Sequence, residues 1–91
     1  MKSIFTKEYE RAVAALIAAR KNAGLTQQQL ATRLRKPQSF VSKYERRERR
    51  LDVVEFVRIA QIAGADPSTI VDALQSELAG RPHRERRKDA Q

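Results

Sequence analysis

Helix start and stop signals recur at short intervals along this chain and limit it to short helices. Thr26 is followed three residues later by Gln29, and Asp52 by Glu55, which is the spacing of a capping box. Glycine ends helices and proline opens or interrupts them, because each restricts the local backbone. The signals predict five helices at about 7–22, 27–34, 38–46, 53–63 and 67–79. No strand pattern or internal repeat is visible, so we expect a compact five-helix, all-α domain.

Apolar positions inside these segments indicate the core. The fourth helix is the most apolar, so we expect it to be the core helix. The fifth carries an apolar stripe of Ile70, Val71, Leu74 and Leu78. A domain of this size buries only about 60 % of its unfolded surface, so a second copy would cover the remaining stripe. We assign the domain to residues 1–80 and expect residues 81–91 to form a basic, disordered tail.

Scarcity of reactive side chains excludes most enzyme classes. The chain has no cysteine, which removes disulfide scaffolds, cysteine-ligated zinc and cysteine nucleophiles. Its one histidine, His83, has no second histidine with which to share a metal ion. We therefore expect no enzymatic activity, metal, cofactor or small-molecule ligand.

Charge is unevenly distributed along the chain, whose formal net charge is +8. Residues 33–50 hold eight basic and two acidic side chains, whereas residues 51–80 hold one basic and five acidic. This segregation predicts one cationic binding face. The first partner of such a face is nucleic acid, and an anionic membrane surface is the second.

No segment has the length of a membrane span. The longest apolar run, residues 12–19, has eight residues, and a spanning helix needs about 20. The N-terminal residues 1–8 reach charged side chains before any apolar stretch, unlike a signal peptide. We expect a cytoplasmic, nucleoid-associated protein with no membrane partner.

Residues 26–46 predict two short helices joined by a tight turn, with small Ala31 at their crossing. The second of these helices carries polar residues on its exposed face. Such a helix fits the major groove, where its N-terminal residues reach base edges.

This part of the chain resembles the Cro/CI-type, or XRE, helix-turn-helix family of phage repressors and bacterial transcription regulators. The matching stretches are Leu25-Thr26-Gln27 with Leu30-Ala31, then residues 39–45, then residues 51–63. The resemblance covers about residues 11–78 and implies a lambda-repressor-like fold. It also implies a sequence-specific, dimeric repressor that inserts its third helix into the major groove of a palindromic double-stranded DNA operator.

The resemblance assigns roles to residues by position. The base-reading positions are Gln38, Ser39, Ser42 and Lys43. Glutamine can pair with adenine, lysine with guanine, and serine with either. The phosphate-contacting positions, which orient a protein without reading sequence, are Gln27, Tyr44, Arg46, Arg47, Arg49 and Arg50. We expect Tyr44 to be half-buried with its hydroxyl at the surface.

Three residues depart from the family pattern. Arg35 stands in the turn where the family often has glycine, and Lys36 follows where an apolar residue is common. Arg47 replaces the glycine often seen after the third helix. A left-handed backbone at a residue other than glycine costs about 1–2 kcal/mol, and the added positive charge offsets part of this on DNA.

Two other functions remain open from the sequence. The protein could be an antitoxin or a restriction-modification controller protein that acts partly through a protein partner. It could also bind RNA or an anionic membrane nonspecifically through the basic tail. Deleting residues 81–91 would separate the latter from operator binding, which should survive the deletion.

Overall fold

A computed structural model of the protein describes residues 6–79, which form five α-helices and no strand. The all-α, five-helix fold is confirmed. The predicted basic tail, residues 81–91, lies outside the described residues. The helices are α1 (Lys7–Asn22), α2 (Gln27–Leu34), α3 (Gln38–Glu45), α4 (Val53–Ile62) and α5 (Pro67–Ala79).

Both predicted capping boxes form. The Gln29 amide donates to Thr26 Oγ1 at 3.0 Å, and the Thr26 amide donates to Gln29 Oε1 at 2.9 Å. The reciprocal bonds between Asp52 and Glu55 measure 2.7 and 2.9 Å. These bonds satisfy amides that have no partner inside their helices, which explains why α2 and α4 begin where they do.

The core lies where the first four helices meet. Leu16, Leu30, Val41 and Ile59, one from each of these helices, are all 0 % exposed. Helix α2 packs on α3 and α4, and α1 packs on α3, α4 and α5. Burying one leucine side chain contributes about 1.5–3 kcal/mol, so these contacts fix how α2 and α3 cross.

The prediction that α4 is the core helix holds only for its C-terminal half. Ile59 and Ala60 are buried, but Val53 is 77 % and Val54 is 67 % exposed. Nothing in the described part of the chain covers the first turn of α4. Val53 lines a groove of about 510 Å³ with Phe56, Val71 and other side chains of α1, α4 and α5. We call this the α4–α5 groove.

Candidate DNA-binding surface

The exposed face of α3 is polar. Gln38, Ser39 and Lys43 are exposed, and Ser42 is half-buried, with its hydroxyl 3.3 Å from the Ser39 carbonyl oxygen. The opposite face of α3 packs into the core. The eight residues of α3 span about 12 Å, so the four predicted base-reading side chains lie together on one short helical surface.

Gln27, in the first turn of α2, links the two helices of the motif. Its side-chain amide donates to Glu45 Oε1 at 2.9 Å. Its Oε1 atom accepts a hydrogen bond from the side-chain amide, Nε2, of Gln38 at 3.4 Å, which is long for a hydrogen bond. The predicted phosphate-contacting glutamine therefore lies next to the first predicted base-reading residue.

The Glu45 carboxylate that holds Gln27 belongs to a buried ion pair. The Arg20 guanidinium contacts the Glu45 carboxylate at 2.7 and 3.0 Å and donates to the Leu25 carbonyl at 2.9 Å. The hydrogen bond to Glu45 raises the pKa of Arg20 above its usual range, so the guanidinium stays charged. Arg20, Glu45, Gln27 and Gln38 thus form a polar chain from the interior to the exposed face of α3.

Sequence reasoning missed this ion pair. The available signal was Glu45 itself, which follows Val41 by four residues and therefore lies on the inward face of α3. A carboxylate on a buried stripe needs a cationic partner. Its partner, Arg20, lies 25 residues away, so no local pattern identifies it.

The arginines between α3 and α4 are exposed, and each has an intramolecular partner. Two of them bind carboxylates of neighbouring residues through two hydrogen bonds each, and the hydrogen bonds lower the pKa of both carboxylates. The contacts are Arg46 to Glu48 at 3.0 and 3.1 Å, Arg49 to Glu55 at 2.9 and 3.0 Å, Arg47 to Glu10 at 3.8 Å, and the Arg50 guanidinium over the Tyr9 ring at 4.8 Å. A phosphate binding here would compete with these carboxylates.

The placement of Tyr44 contradicts its predicted role. Tyr44 is 0 % exposed, and its hydroxyl is buried with no hydrogen-bond partner among the described residues. Burial raises the pKa of this phenol, because the phenolate would lose its hydration. The expectations of a surface hydroxyl and of a phosphate contact are therefore wrong, since a buried atom cannot reach DNA. Tyr44 packs edge-on against Phe40 with ring centroids 5.7 Å apart.

Two arginines adopt the left-handed backbone conformation that favours glycine. Arg35 ends α2 and Arg47 follows α3, both with φ 61°. At Arg35 this geometry lets the Lys36 amide donate to the Ala31 carbonyl at 3.0 Å, which closes the end of the helix. The predicted tight turn thus forms with arginine where the family often has glycine, and the left-handed backbone costs about 1–2 kcal/mol for each residue.

The paired helices α2 and α3, with a polar face on the second, define a helix-turn-helix domain of the kind that binds DNA. A helix-turn-helix family model matches residues 16–70. A solved structure of an XRE-family-like protein from Pseudomonas syringae pv. tomato is 45 % identical, with a TM-score of 0.74, over 78 % of this chain and 87 % of that one. The chain belongs to the XRE family of helix-turn-helix proteins. A search of curated proteins found no match.

Across residues 6–79, no group of three or more histidine, cysteine, aspartate or glutamate side chains could hold a metal ion. In that same stretch no helix has both the length and the apolar character required to traverse a bilayer.

Proposed function

We propose that this protein is a sequence-specific transcription repressor that binds palindromic double-stranded DNA as a homodimer. Helix α3 enters the major groove, where Gln38, Ser39, Ser42 and Lys43 contact base edges. Arginines of residues 46–50 and Gln27 contact phosphates. No catalytic step, cofactor or small-molecule effector forms part of this function.

The observation that carries the proposal is the exposed polar face of α3 in a domain of the XRE helix-turn-helix family. The Lys43 side chain is exposed and makes no hydrogen bond or ion pair with another described residue, so its ammonium is available to a guanine. Gln38 is held near its reading position through Gln27. Because the supporting ion pair is buried, the two glutamines are positioned before DNA arrives, which reduces the entropy lost on binding.

The proposed phosphate contacts have different starting states. Arg46 and Arg49 must exchange a carboxylate for a phosphate, because each is already bound to glutamate. Exposed ion pairs of this kind contribute only about 0–1 kcal/mol, so a phosphate can displace the carboxylate. Gln27 lies at the N-terminal end of α2, where the helix dipole favours an anion.

The apolar surface of α4 and α5 supports the homodimer. Val53, Val71 and Leu78 are 77, 48 and 46 % exposed, and Val53 and Val71 line the α4–α5 groove. A second copy could bury this surface and place two α3 helices against half-sites about 34–36 Å apart. The same surface would serve an antitoxin or a controller protein with a different protein partner, so the oligomeric state distinguishes these functions.

Selection of binding sites from a random duplex library at about 150 mM salt tests the proposal, because nonspecific binding is weak there. We expect a palindromic motif to be enriched. Gln38→Ala and Lys43→Ala should each relax the preference at one base pair per half-site, by about 1–3 kcal/mol. Arg11→Gln is the matched control, since Arg11 pairs with Glu77 of α5 and not with the α3 surface. Failure to enrich any motif would refute sequence-specific recognition.

A further inference from the structure

The turn between α2 and α3 carries two cations that have no assigned role, Arg35 and Lys36, which we call the turn cations. Both side chains are exposed. The left-handed backbone at Arg35 closes the end of α2 through main-chain bonds, from the Arg35 amide to Thr32 and from the Lys36 amide to Ala31. Glycine would make the same bonds without strain, as it does at Gly24 with φ 76°. The arginine side chain therefore adds nothing to the turn itself.

The turn cations also differ from the arginines of residues 46–50 in how they are neutralised. Among residues 6–79, the Arg35 side chain has no hydrogen bond or ion pair. The Lys36 ammonium lies over an aromatic ring and interacts with the Glu55 carboxylate through its charge, but it forms no hydrogen bond or ion pair there. By contrast, Arg46 and Arg49 are bound to carboxylates. A cation without a carboxylate partner can bind a phosphate without first breaking an ion pair.

The position of Lys36 follows from its contact with Phe40. The Lys36 ammonium lies 5.3 Å from the centre of the Phe40 ring, and the Arg49 guanidinium lies 4.7 Å from the same ring. Phe40 is the third residue of α3. Lys36 and Arg49 are thus gathered beside the N-terminal half of α3, the half that enters the groove most deeply in this class of domain, and Arg35 precedes Lys36 directly in the turn.

The helical projection of α3 shows which side of the binding face they occupy. Successive residues of a helix are about 100° apart, so relative to Gln38 the positions of Ser39, Lys43 and Phe40 are about 100°, 140° and 200°. The exposed face therefore lies between Gln38 at one edge and Phe40 at the other. Gln27 contacts Gln38 at the first edge, and Lys36 contacts Phe40 at the second.

From this arrangement we propose that Arg35 and Lys36 bind DNA phosphates on the strand across the major groove from the one contacted by Gln27. The groove is about 12 Å wide and a helix with side chains is about 10–12 Å in diameter, so groups at its two edges approach opposite strands. The free-energy cost of the strained backbone at Arg35 is then compensated when the protein binds DNA, and not by contacts within the fold. This inference rests on the proposed function, because it assumes that α3 enters the major groove.

The test is the salt dependence of binding to a pool of short duplexes of randomised sequence, measured between about 50 and 200 mM salt. Arg35→Gly, Lys36→Gln and the double variant are compared with wild type, using the full chain. Each lost phosphate contact should lower the slope of log affinity against log salt by about 0.9 per protomer, which corresponds to a roughly 3.5-fold smaller loss of affinity across this range. The double variant should lose about twice that slope.

Arg11→Gln is the matched control, because it removes one positive charge on the α1–α5 side. Thermal melting separates binding from folding: Arg35→Gly should melt no lower than wild type, since glycine relieves the strained backbone. Variant slopes equal to that of Arg11→Gln, while wild type binds duplexes, would refute the turn contacts and leave the proposed function intact. Absence of salt-dependent duplex binding by wild type would overturn both.

Discussion

Removing one member of the buried Arg20–Glu45 pair should be among the most destabilising single changes available in this domain. Glu45→Leu leaves a guanidinium in a site where its side chain is 10 % exposed, with only the Leu25 carbonyl as partner. Breaking a buried pair in this way costs about 3–5 kcal/mol. In a domain of this size that corresponds to a fall in Tm of roughly 12–40 °C, taking about 4–8 °C for each kcal/mol.

The paired variant Arg20→Met/Glu45→Leu isolates the charge effect. Replacing both ions with apolar side chains of similar size is often neutral or stabilising, although here the Leu25 carbonyl loses its donor at a cost of about 1–3 kcal/mol. Urea denaturation followed by circular dichroism gives the free energy of unfolding for wild type, both single variants and the pair. We expect the pair to be more stable than either single variant. A double variant that is no more stable than Glu45→Leu would refute the inference that the unpaired buried charge is what destabilises the fold.

The same variants separate folding from positioning. In the paired variant the Gln27 amide loses the Glu45 oxygen that it contacts at 2.9 Å. Affinity for DNA should therefore fall even where stability recovers, because Gln27 and Gln38 are no longer held in place before binding. Unchanged affinity in a stably folded paired variant would show that the polar chain is structural only.

Three further predictions concern other parts of the domain. Tyr44→Phe should leave DNA affinity unchanged and should keep or raise the free energy of unfolding, because it removes a buried hydroxyl that has no partner among the described residues. It should also lessen the loss of stability that wild type shows as pH rises above 10.0. Tyr9→Phe, by contrast, removes a 3.0 Å hydrogen bond and should destabilise the fold by about 1 kcal/mol in the same melts. The pKa of Glu55 is lowered below its ordinary 4.5 in the fold, so the ionised carboxylate stabilises the fold at neutral pH and this stabilisation is lost on acidification. Glu55→Gln should therefore flatten the acid side of the curve of unfolding free energy against pH, and an unchanged curve would contradict this. Val71→Lys, at a 48 % exposed position, should yield monomers in analytical ultracentrifugation while exposed Ser76→Lys on the same helix does not; dimers in both variants would exclude this surface as the interface.

The helices were predictable because their signals are local. Each capping box is a pair of residues three positions apart, and Gly24 and Gly64 each follow the C-cap residue of the helix they end, so no long-range information is needed. The exposed face of α3 was equally accessible, since helical spacing alone separates Ser39 and Lys43 from Val41. The turn between α2 and α3 was also predictable, because Pro37 interrupts the helix, although Arg35 departs from the glycine that the family often has there.

What the sequence did not provide depends on contacts between distant segments. The buried ion pair joins residues 25 positions apart, and Arg47, in the loop after α3, contacts Glu10 of α1. Helical spacing places Tyr44 on the inner face, but the depth of its hydroxyl depends on how α1 and α3 pack. The exposure of Val53 likewise depends on whether α5 covers the first turn of α4, which composition does not indicate.

The segregation of charge between the two halves of the fold also affects how the protein meets its target. The turn, α3 and the following loop lie in the stretch with eight basic and two acidic residues, whereas α4 and α5 belong to the stretch with one basic and five acidic. Such a molecule has a permanent electric dipole, so the field of a polyanion exerts a torque on it during diffusion. The acidic half is repelled and the cationic half is drawn inward, which orients α3 toward the duplex before contact and raises the fraction of collisions that are productive.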